Sequence, residues 1–133
     1  MTFAIAPLYA GLLGLLLVVL SLLVVRLRMR FRVGLGDGGY AALTRAIRVQ
    51  GNFAEHVPLA LLLVFAVEGL DTAPWIVHAL GAALVVARLA HAQGLGRSDG
   101  ESPGRFLGTV TTFSVLIAAS SLCLFAVLGR MAA

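Results

Sequence analysis

The sequence predicts an all-α integral membrane protein, in which a single domain of 133 residues forms a bundle of four transmembrane helices. Hydrophobic residues make up 60% of the chain and charged residues only 12%, about half of what a soluble domain carries. Four apolar segments alternate with polar connections that contain glycine. The net charge is +4, but the arginines flank apolar runs and form no basic-aromatic groove, so a membrane setting is favoured over nucleic-acid binding.

The first two helices differ in polarity. The first is predicted at about residues 4–30, because residues 6–25 carry no charge and suffice to cross about 30 Å of hydrocarbon. The second is predicted at about residues 40–68. Its apolar part, residues 57–67, is too short to cross alone, so its polar first half must continue the helix, and Pro58 should kink it.

Prolines indicate where the last two helices begin. Pro74 suits a first helical position and Trp75 a membrane-interface anchor, which places the third helix at about residues 73–95. Ser102 and Pro103 form a cap followed by a first-turn proline. The fourth helix is therefore predicted at about residues 103–130.

Charge is unevenly distributed over the three connections, which predicts the orientation. The second connection carries only Glu68 and Asp71. By the positive-inside rule, the first and third connections are cytoplasmic and both termini lie outside. The compact, arginine-rich chain suggests a bacterial inner membrane. The basic residues of the first and third connections are Arg26, Arg28, Arg30, Arg32, Arg97 and Arg105.

One polar stripe lies in the first half of the second helix. At 100° per residue, Arg45, Arg48, Asn52 and Glu55 fall within roughly an 80° arc, and His56 extends it slightly. Ionisable groups in a membrane segment are costly and mark functional sites. Two interpretations stay open. Either the arginines pair with Glu55 and tie helices together, or the stripe binds a zwitterion that carries carboxylate and amine groups.

Further polar groups are predicted at the same membrane depth. Arg88 and His91 are three residues apart and share one face of the third helix. Arg105, in the first turn of the fourth helix, is either an ordinary flanking cation or a group that favours a bound thiolate. The sequence shows no metal-ligand spacing, phosphate loop or Ser-His-Asp grouping, so any chemistry is expected to belong to a bound small molecule.

The segment RVQGNFAEHVPLALLL, residues 48–63, resembles the signature of the MAPEG family, the membrane-associated proteins in eicosanoid and glutathione metabolism. Residues 87–98 resemble the end of that family's third helix, and residues 26–33 its first cytoplasmic boundary. The resemblance covers nearly the whole chain. It implies a homotrimer of four-helix bundles with glutathione, a cosubstrate, bound between neighbouring subunits near the cytoplasmic face.

The resemblance also implies a role for each site residue. Arg105 would stabilise the glutathione thiolate, which attacks a lipophilic electrophile delivered from the bilayer in a transferase or peroxidase reaction. Contacts to glutathione would come from the first three helices, and Arg28 or Arg30 would supply a cation from the first. The residues implied are Arg28, Arg30, Arg48, Gln50, Asn52, Glu55, Arg88 and His91.

Two other functions stay open. One is a noncatalytic member that binds lipid or another membrane protein, because Leu95 and His56 stand where many active members carry tyrosine. The other is a small four-span drug exporter. Such exporters need a membrane-embedded carboxylate for proton coupling, and the first helix has none, which disfavours this function.

Overall fold

A computed structural model describes residues 4–97 and 102–132, apart from the side chains of residues 95–97. All four elements are α-helices, and each contains a stretch long and apolar enough to cross a bilayer. The prediction of an all-α chain with four candidate membrane spans is therefore confirmed. The helices are α1 (Ala6–Phe31), α2 (Ala41–Gly69), α3 (Pro74–Arg97) and α4 (Pro103–Ala132).

The core lies along α2, which contacts each of the other three helices. Its buried face carries Val49, Phe53, Val57 and Val64 at helical spacing, and α2 runs through Pro58 as one continuous element. Within the described part of the chain, α1 packs on α2 and α3 but not on α4. Since α3 also contacts each of the other helices, α2 and α3 together form the centre of the bundle, and α3 and α4 are its most closely packed pair.

A carboxylate from α2 caps the start of α1. The backbone N–H groups of Ala4, Ile5 and Ala6 each donate to the Glu68 carboxylate at 2.8 Å. Ala6 begins α1 and Ile5 is its N-cap residue, so these amides lie at the helix start, where backbone N–H groups lack intrahelical partners and the dipole favours negative charge. Glu68 thus fixes the beginning of α1 to the end of α2.

At the same end of the bundle, Tyr9 joins α1 to α3. Tyr9 is buried, and its hydroxyl lies 2.9 Å from Nδ1 of His78, which is exposed. Gly81 lies against the Tyr9 ring so closely that a Cβ added there would collide with it. The absence of a side chain at Gly81 therefore lets the aromatic ring pack on the α3 backbone.

The α3 and α4 backbones approach each other through two glycines of α4. A Cβ added to Gly104 would lie 2.8 Å from the carbonyl oxygen of Ala90. One added to Gly108 would lie 2.6 Å from the carbonyl oxygen of Ala87 and 2.7 Å from Cβ of His91. Small residues permit such close packing between membrane helices. This contact brings the polar end of α3 directly against the first turns of α4.

The first connection is ordered by hydrogen bonds from both flanking helices. Arg32 ends α1 in the left-handed conformation, with φ 56°. Asp37 accepts hydrogen bonds from the backbone N–H of Gly39, at 3.0 Å, and from the hydroxyl of Thr44, at 2.7 Å. These donors hold the pKa of the Asp37 carboxyl below its ordinary value, because they stabilise the charged form.

Candidate functional site

Arg88 links three helices. Its side chain is only 3% exposed. One terminal nitrogen donates to Oδ1 of Asn52 on α2 at 2.7 Å, and the other donates to the carbonyl oxygen of Gly108 on α4 at 3.1 Å. The sequence analysis placed Arg88 and Asn52 in one site, and the structure brings them into direct contact.

Arg88 has no acidic partner among the residues that the structure describes. Its Nε is buried and has no hydrogen-bond partner among the described residues. The recorded partners of its other two nitrogens are the neutral oxygens of Asn52 and Gly108. Burying a cation without a counter-ion costs several kcal/mol. The surroundings of Arg88 are therefore suited to an anionic group.

A partly open cavity of about 810 Å³ adjoins this link. Cavities of this size accommodate molecules as large as a small peptide or drug. Residues from α2, from α3 and from the start of α4 line it. Its lining residues are Asn52, His91, Ser102, Pro103, Arg105, Phe106 and Thr109.

The first turn of α4 supplies positive charge to the cavity. Ser102 caps this helix, since its Oγ accepts a hydrogen bond from the backbone N–H of Arg105 at 3.3 Å. The Arg105 guanidinium thus belongs to a residue at the positive end of the helix dipole. His91, which is 7% exposed, also lines the cavity. Together these groups can attract and orient an anion.

His56 borders the same region from α2. Its Nδ1 lies 2.9 Å from the carbonyl oxygen of Asn52, to which the protonated nitrogen donates. The His56 ring is 5.5 Å from the ring of Phe113 on α4. His56 therefore contributes to the contact between α2 and α4 beside the cavity.

The remaining residues of the α2 stripe do not line this cavity. Arg48 and Glu55 are exposed on the outer face of the helix, and Gln50 is half-buried. Neither Arg48 nor Glu55 has a hydrogen bond or ion pair within residues 4–97 and 102–132. The pairing of the arginines with Glu55 to tie helices together, one of the two interpretations of the stripe, is therefore not seen in this part of the chain.

The two arginines assigned from α1 also contact other groups. The guanidinium of Arg28 donates to carbonyl oxygens of the first connection, including that of Gly36 at 2.9 Å. Arg30 lies 5.8 Å from the centroid of the Phe31 ring. Neither arginine is among the residues that line the cavity. The side chains of Leu95 and Arg97 are not among those that the structure describes.

Sequence reasoning missed several groups that shape the site. Phe106 and Thr109 line the cavity, and Gly108 supplies the carbonyl that Arg88 binds. The spacing of Gly104 and Gly108, four residues apart, is the small-residue pattern that could have indicated the close contact with α3. Among the described residues, no group of three or more His, Cys, Asp and Glu side chains is placed to hold a metal ion.

The bundle of four helices, each long and apolar enough to cross a bilayer, is that of an integral membrane protein, with a cavity lined by polar residues near one end. The chain matches the model of the MAPEG family over residues 6–125, and it belongs to that family. The family resemblance of the α2 segment is thereby confirmed.

A bacterial relative agrees with this assignment. Over 90 residues the chain is 44% identical to the inner membrane protein YecN of Escherichia coli strain K12, and the alignment covers 68% of this chain and 69% of YecN. The same identity and coverage are found for YecN of Escherichia coli O6:H1.

Proposed function

We propose that the protein is a glutathione-dependent membrane transferase or peroxidase acting on lipophilic electrophiles. This proposal is carried by the buried Arg88, which has no acidic partner among the described residues and donates to Asn52. Asn52 in turn lines a cavity together with His91 and Arg105. Glutathione presents two carboxylates, an amine and a thiol. A site with two arginines, the side-chain amide of Asn52 and the positive end of a helix dipole is chemically matched to such a peptide.

The reactive step requires an ionised thiol. Arg105, at the start of α4, would favour the thiolate through its own charge and the helix dipole. A depression of two pKa units from the ordinary value of about 8.5 corresponds to about 2.7 kcal/mol and leaves the thiol mostly ionised at neutral pH. The thiolate sulfur then attacks the electrophile, and the leaving group departs with the electron pair of the broken bond.

The proposal includes an assembly of several copies of the chain, because α2 carries charged residues that face outward. Arg48 and Glu55 are exposed and unpaired within the described chain, whereas ionisable groups in a membrane helix ordinarily face protein or water. We propose that they reach glutathione across the boundary between copies of a homotrimer. By charge distribution and the relation to YecN, the protein would lie in a bacterial inner membrane with its arginine-rich connections in the cytoplasm.

The test is thiolate formation on adding glutathione to purified protein, measured by its ultraviolet absorbance. Arg105→Ala is expected to abolish the thiolate signal with only a modest loss of glutathione binding measured by calorimetry. Arg130→Ala is the matched control, because Arg130 is an exposed arginine in the last turn of the same helix. It removes the same charge far from the cavity and should leave the signal unchanged.

Each outcome decides between the functions. If the thiolate forms in Arg105→Ala as in the unsubstituted protein, the role of Arg105 is refuted. If the unsubstituted protein forms no thiolate and conjugates no generic aryl halide, the enzyme proposal fails. The noncatalytic lipid-binding or partner-binding member of the family then becomes the better description, and glutathione binding without a thiolate would show that the site is retained for recognition alone.

A further inference from the structure

We propose that His56 is the proton carrier of this site and suits it to electrophiles that leave an oxygen anion, such as lipid hydroperoxides. The inference rests on the proposed glutathione-dependent function, to which it adds a residue and a class of substrate. His56 stands where many active members of the family carry tyrosine. An imidazole takes up and releases a proton near neutral pH, whereas a phenol does so only at about pH 10.

A hydrogen bond to the backbone determines which nitrogen of His56 is available. Nδ1 lies 2.9 Å from the carbonyl oxygen of Asn52. A carbonyl oxygen can only accept, so Nδ1 carries the hydrogen, and Nε2 of the neutral ring keeps its lone pair. The side chain is half-buried, and Nε2 has no hydrogen-bond partner within the described part of the chain. The structure therefore holds a basic nitrogen in one orientation and leaves it accessible to a ligand.

His56 lies one helical turn beyond the polar lining of the cavity. It follows Asn52 by four residues on the same face of α2, and Phe113 follows Thr109 in the same way on α4. Asn52 and Thr109 line the cavity, and the rings of His56 and Phe113 are 5.5 Å apart. Both helices begin at the end of the bundle that holds the cavity, so this pair lies about 6 Å closer to the middle of the bilayer. An electrophile that arrives from the bilayer reaches His56 before the polar lining.

The charges around His56 favour a proton transfer that stays within the site. Arg88 donates to the side chain of Asn52, whose backbone carbonyl binds His56. His91 interacts electrostatically with Arg88, with Arg105 and with the His56 ring, so these groups occupy one region. Moving the thiol proton of glutathione to the imidazole creates a thiolate and an imidazolium together, which adds no net charge. The two carboxylates of the bound peptide would balance the two arginines.

The reaction with a hydroperoxide then balances. The thiol S–H bond breaks, its proton moves to Nε2 of His56, and Arg105 stabilises the thiolate. The sulfur attacks the terminal oxygen of the hydroperoxide, so an S–O bond forms and the O–O bond breaks. The electron pair of that bond stays on the alkoxide oxygen, to which Nε2 returns the proton, and an alcohol leaves. Sulfur is oxidised to a sulfenic acid, which a second glutathione thiol converts to the disulfide and water.

The experiment compares two reactions of the purified protein with glutathione: reduction of cumene hydroperoxide and conjugation of a generic aryl halide. His56→Asn places an amide nitrogen where Nδ1 lies, so it can keep the bond to the Asn52 carbonyl while it removes Nε2. Because general acid catalysis contributes at least about a hundredfold, hydroperoxide reduction should fall by about that factor. Conjugation should stay within about threefold of its original rate, because a halide leaves as a stable anion and needs no proton.

Two further variants separate proton transfer from packing. His78→Asn is the matched control, because His78 is an exposed histidine at the opposite end of the bundle, where it bonds to Tyr9. It should leave both reactions unchanged. In His56→Ala, added imidazole should restore part of the hydroperoxide reduction, because a free imidazole can replace the missing proton carrier.

Several results would overturn the inference. Equal effects of His56→Asn on the two reactions, or no effect on either, would mean that His56 transfers no proton to the leaving oxygen. A loss of hydroperoxide reduction in His56→Ala that imidazole does not restore would mean that only the shape of the side chain matters. If the unsubstituted protein conjugates the aryl halide but reduces no hydroperoxide, this inference fails and the proposed function stands. If it carries out neither reaction, the proposed function fails as well.

Discussion

The substitution Gly108→Ala tests the close contact of α3 with α4. The added Cβ would lie 2.6 Å from the carbonyl oxygen of Ala87 and 2.7 Å from Cβ of His91, and ordinary contact begins at 3.4 Å. The nearest atom belongs to the backbone, so the helices must separate. Arg88, which is carried by α3, would then lose its 3.1 Å hydrogen bond to the carbonyl of residue 108.

The expected cost follows from three contributions. Overpacking a well-filled contact costs about 1–3 kcal/mol. Losing a buried hydrogen bond from a charged donor costs a further amount of about 1.5–3 kcal/mol. Replacing glycine by alanine within a helix returns about 1 kcal/mol. We therefore expect Gly108→Ala to lower the free energy of unfolding by about 2–5 kcal/mol.

Unfolding in mixed detergent micelles, followed by far-ultraviolet circular dichroism, measures this loss. Gly129→Ala is the matched control, because Gly129 lies in the same helix and an added Cβ there meets nothing within 4 Å. That control should be neutral or slightly stabilising. If Gly108→Ala is as stable as Gly129→Ala, the helices do not depend on a glycine at this contact, and the structural argument for the position of Arg88 fails.

Two further predictions concern carboxylates that bind backbone amides. Glu68→Gln leaves one neutral acceptor where the two oxygens of a carboxylate now cap α1. The free energy of unfolding should therefore fall by about 1–2 kcal/mol, and hydrogen exchange of the amides at residues 4–6 should become faster. Asp37 stabilises its connection only while ionised. Since folding lowers its pKa, this stabilisation is present above the ordinary value of about 3.9 and is lost as the pH falls through the lower folded value. Protection of the Gly39 amide from hydrogen exchange should fall over that range.

Each of these two predictions has a control substitution at or near the carboxylate concerned. Asp71→Asn removes an exposed carboxylate close to Glu68 in the chain, at a residue whose φ of 58° asparagine tolerates well. It should leave exchange at residues 4–6 unchanged, and an equal effect would mean that Glu68 acts only through net charge. Asp37→Ala should lower protection of the Gly39 amide at every pH above the folded pKa of Asp37. Persistent protection in that variant would contradict the assigned hydrogen bond.

The fold was predictable because bilayer dimensions and proline chemistry act locally. Pro74 and Pro103 begin α3 and α4 as their positions in the sequence indicated. Apolar length identified α1 as a span without reference to tertiary contacts, whereas α2 needed its polar first half to reach that length. In contrast, the capping of α1 by Glu68 joins residues more than sixty positions apart, and no local pattern reveals such a partner.

The candidate site was predictable only in part. Helical periodicity correctly placed Arg88 and His91 on one face, because that relation depends on spacing alone. It also grouped Arg48 with Asn52, although Asn52 contacts Arg88 and Arg48 faces outward. An arc of 80° is wide enough to include both an inner and an outer edge of a helix. Which edge faces the bundle depends on the packing of α3 and α4.

Hydrophobic mismatch between neighbouring helices of this chain follows from the polarity of α2. The uncharged run of α1, residues 6–25, measures about 30 Å along its axis, whereas the apolar run of α2, residues 57–67, measures about 16 Å. Pro58 also has no N–H to donate to the carbonyl of Ala54, which lies beside Glu55 on the exposed side. A bilayer thick enough for α1 would surround this outer side with hydrocarbon, where unsatisfied polar groups are costly. An isolated chain must therefore thin the bilayer on one flank only, and a protein surface against the outer side of α2 would remove that distortion.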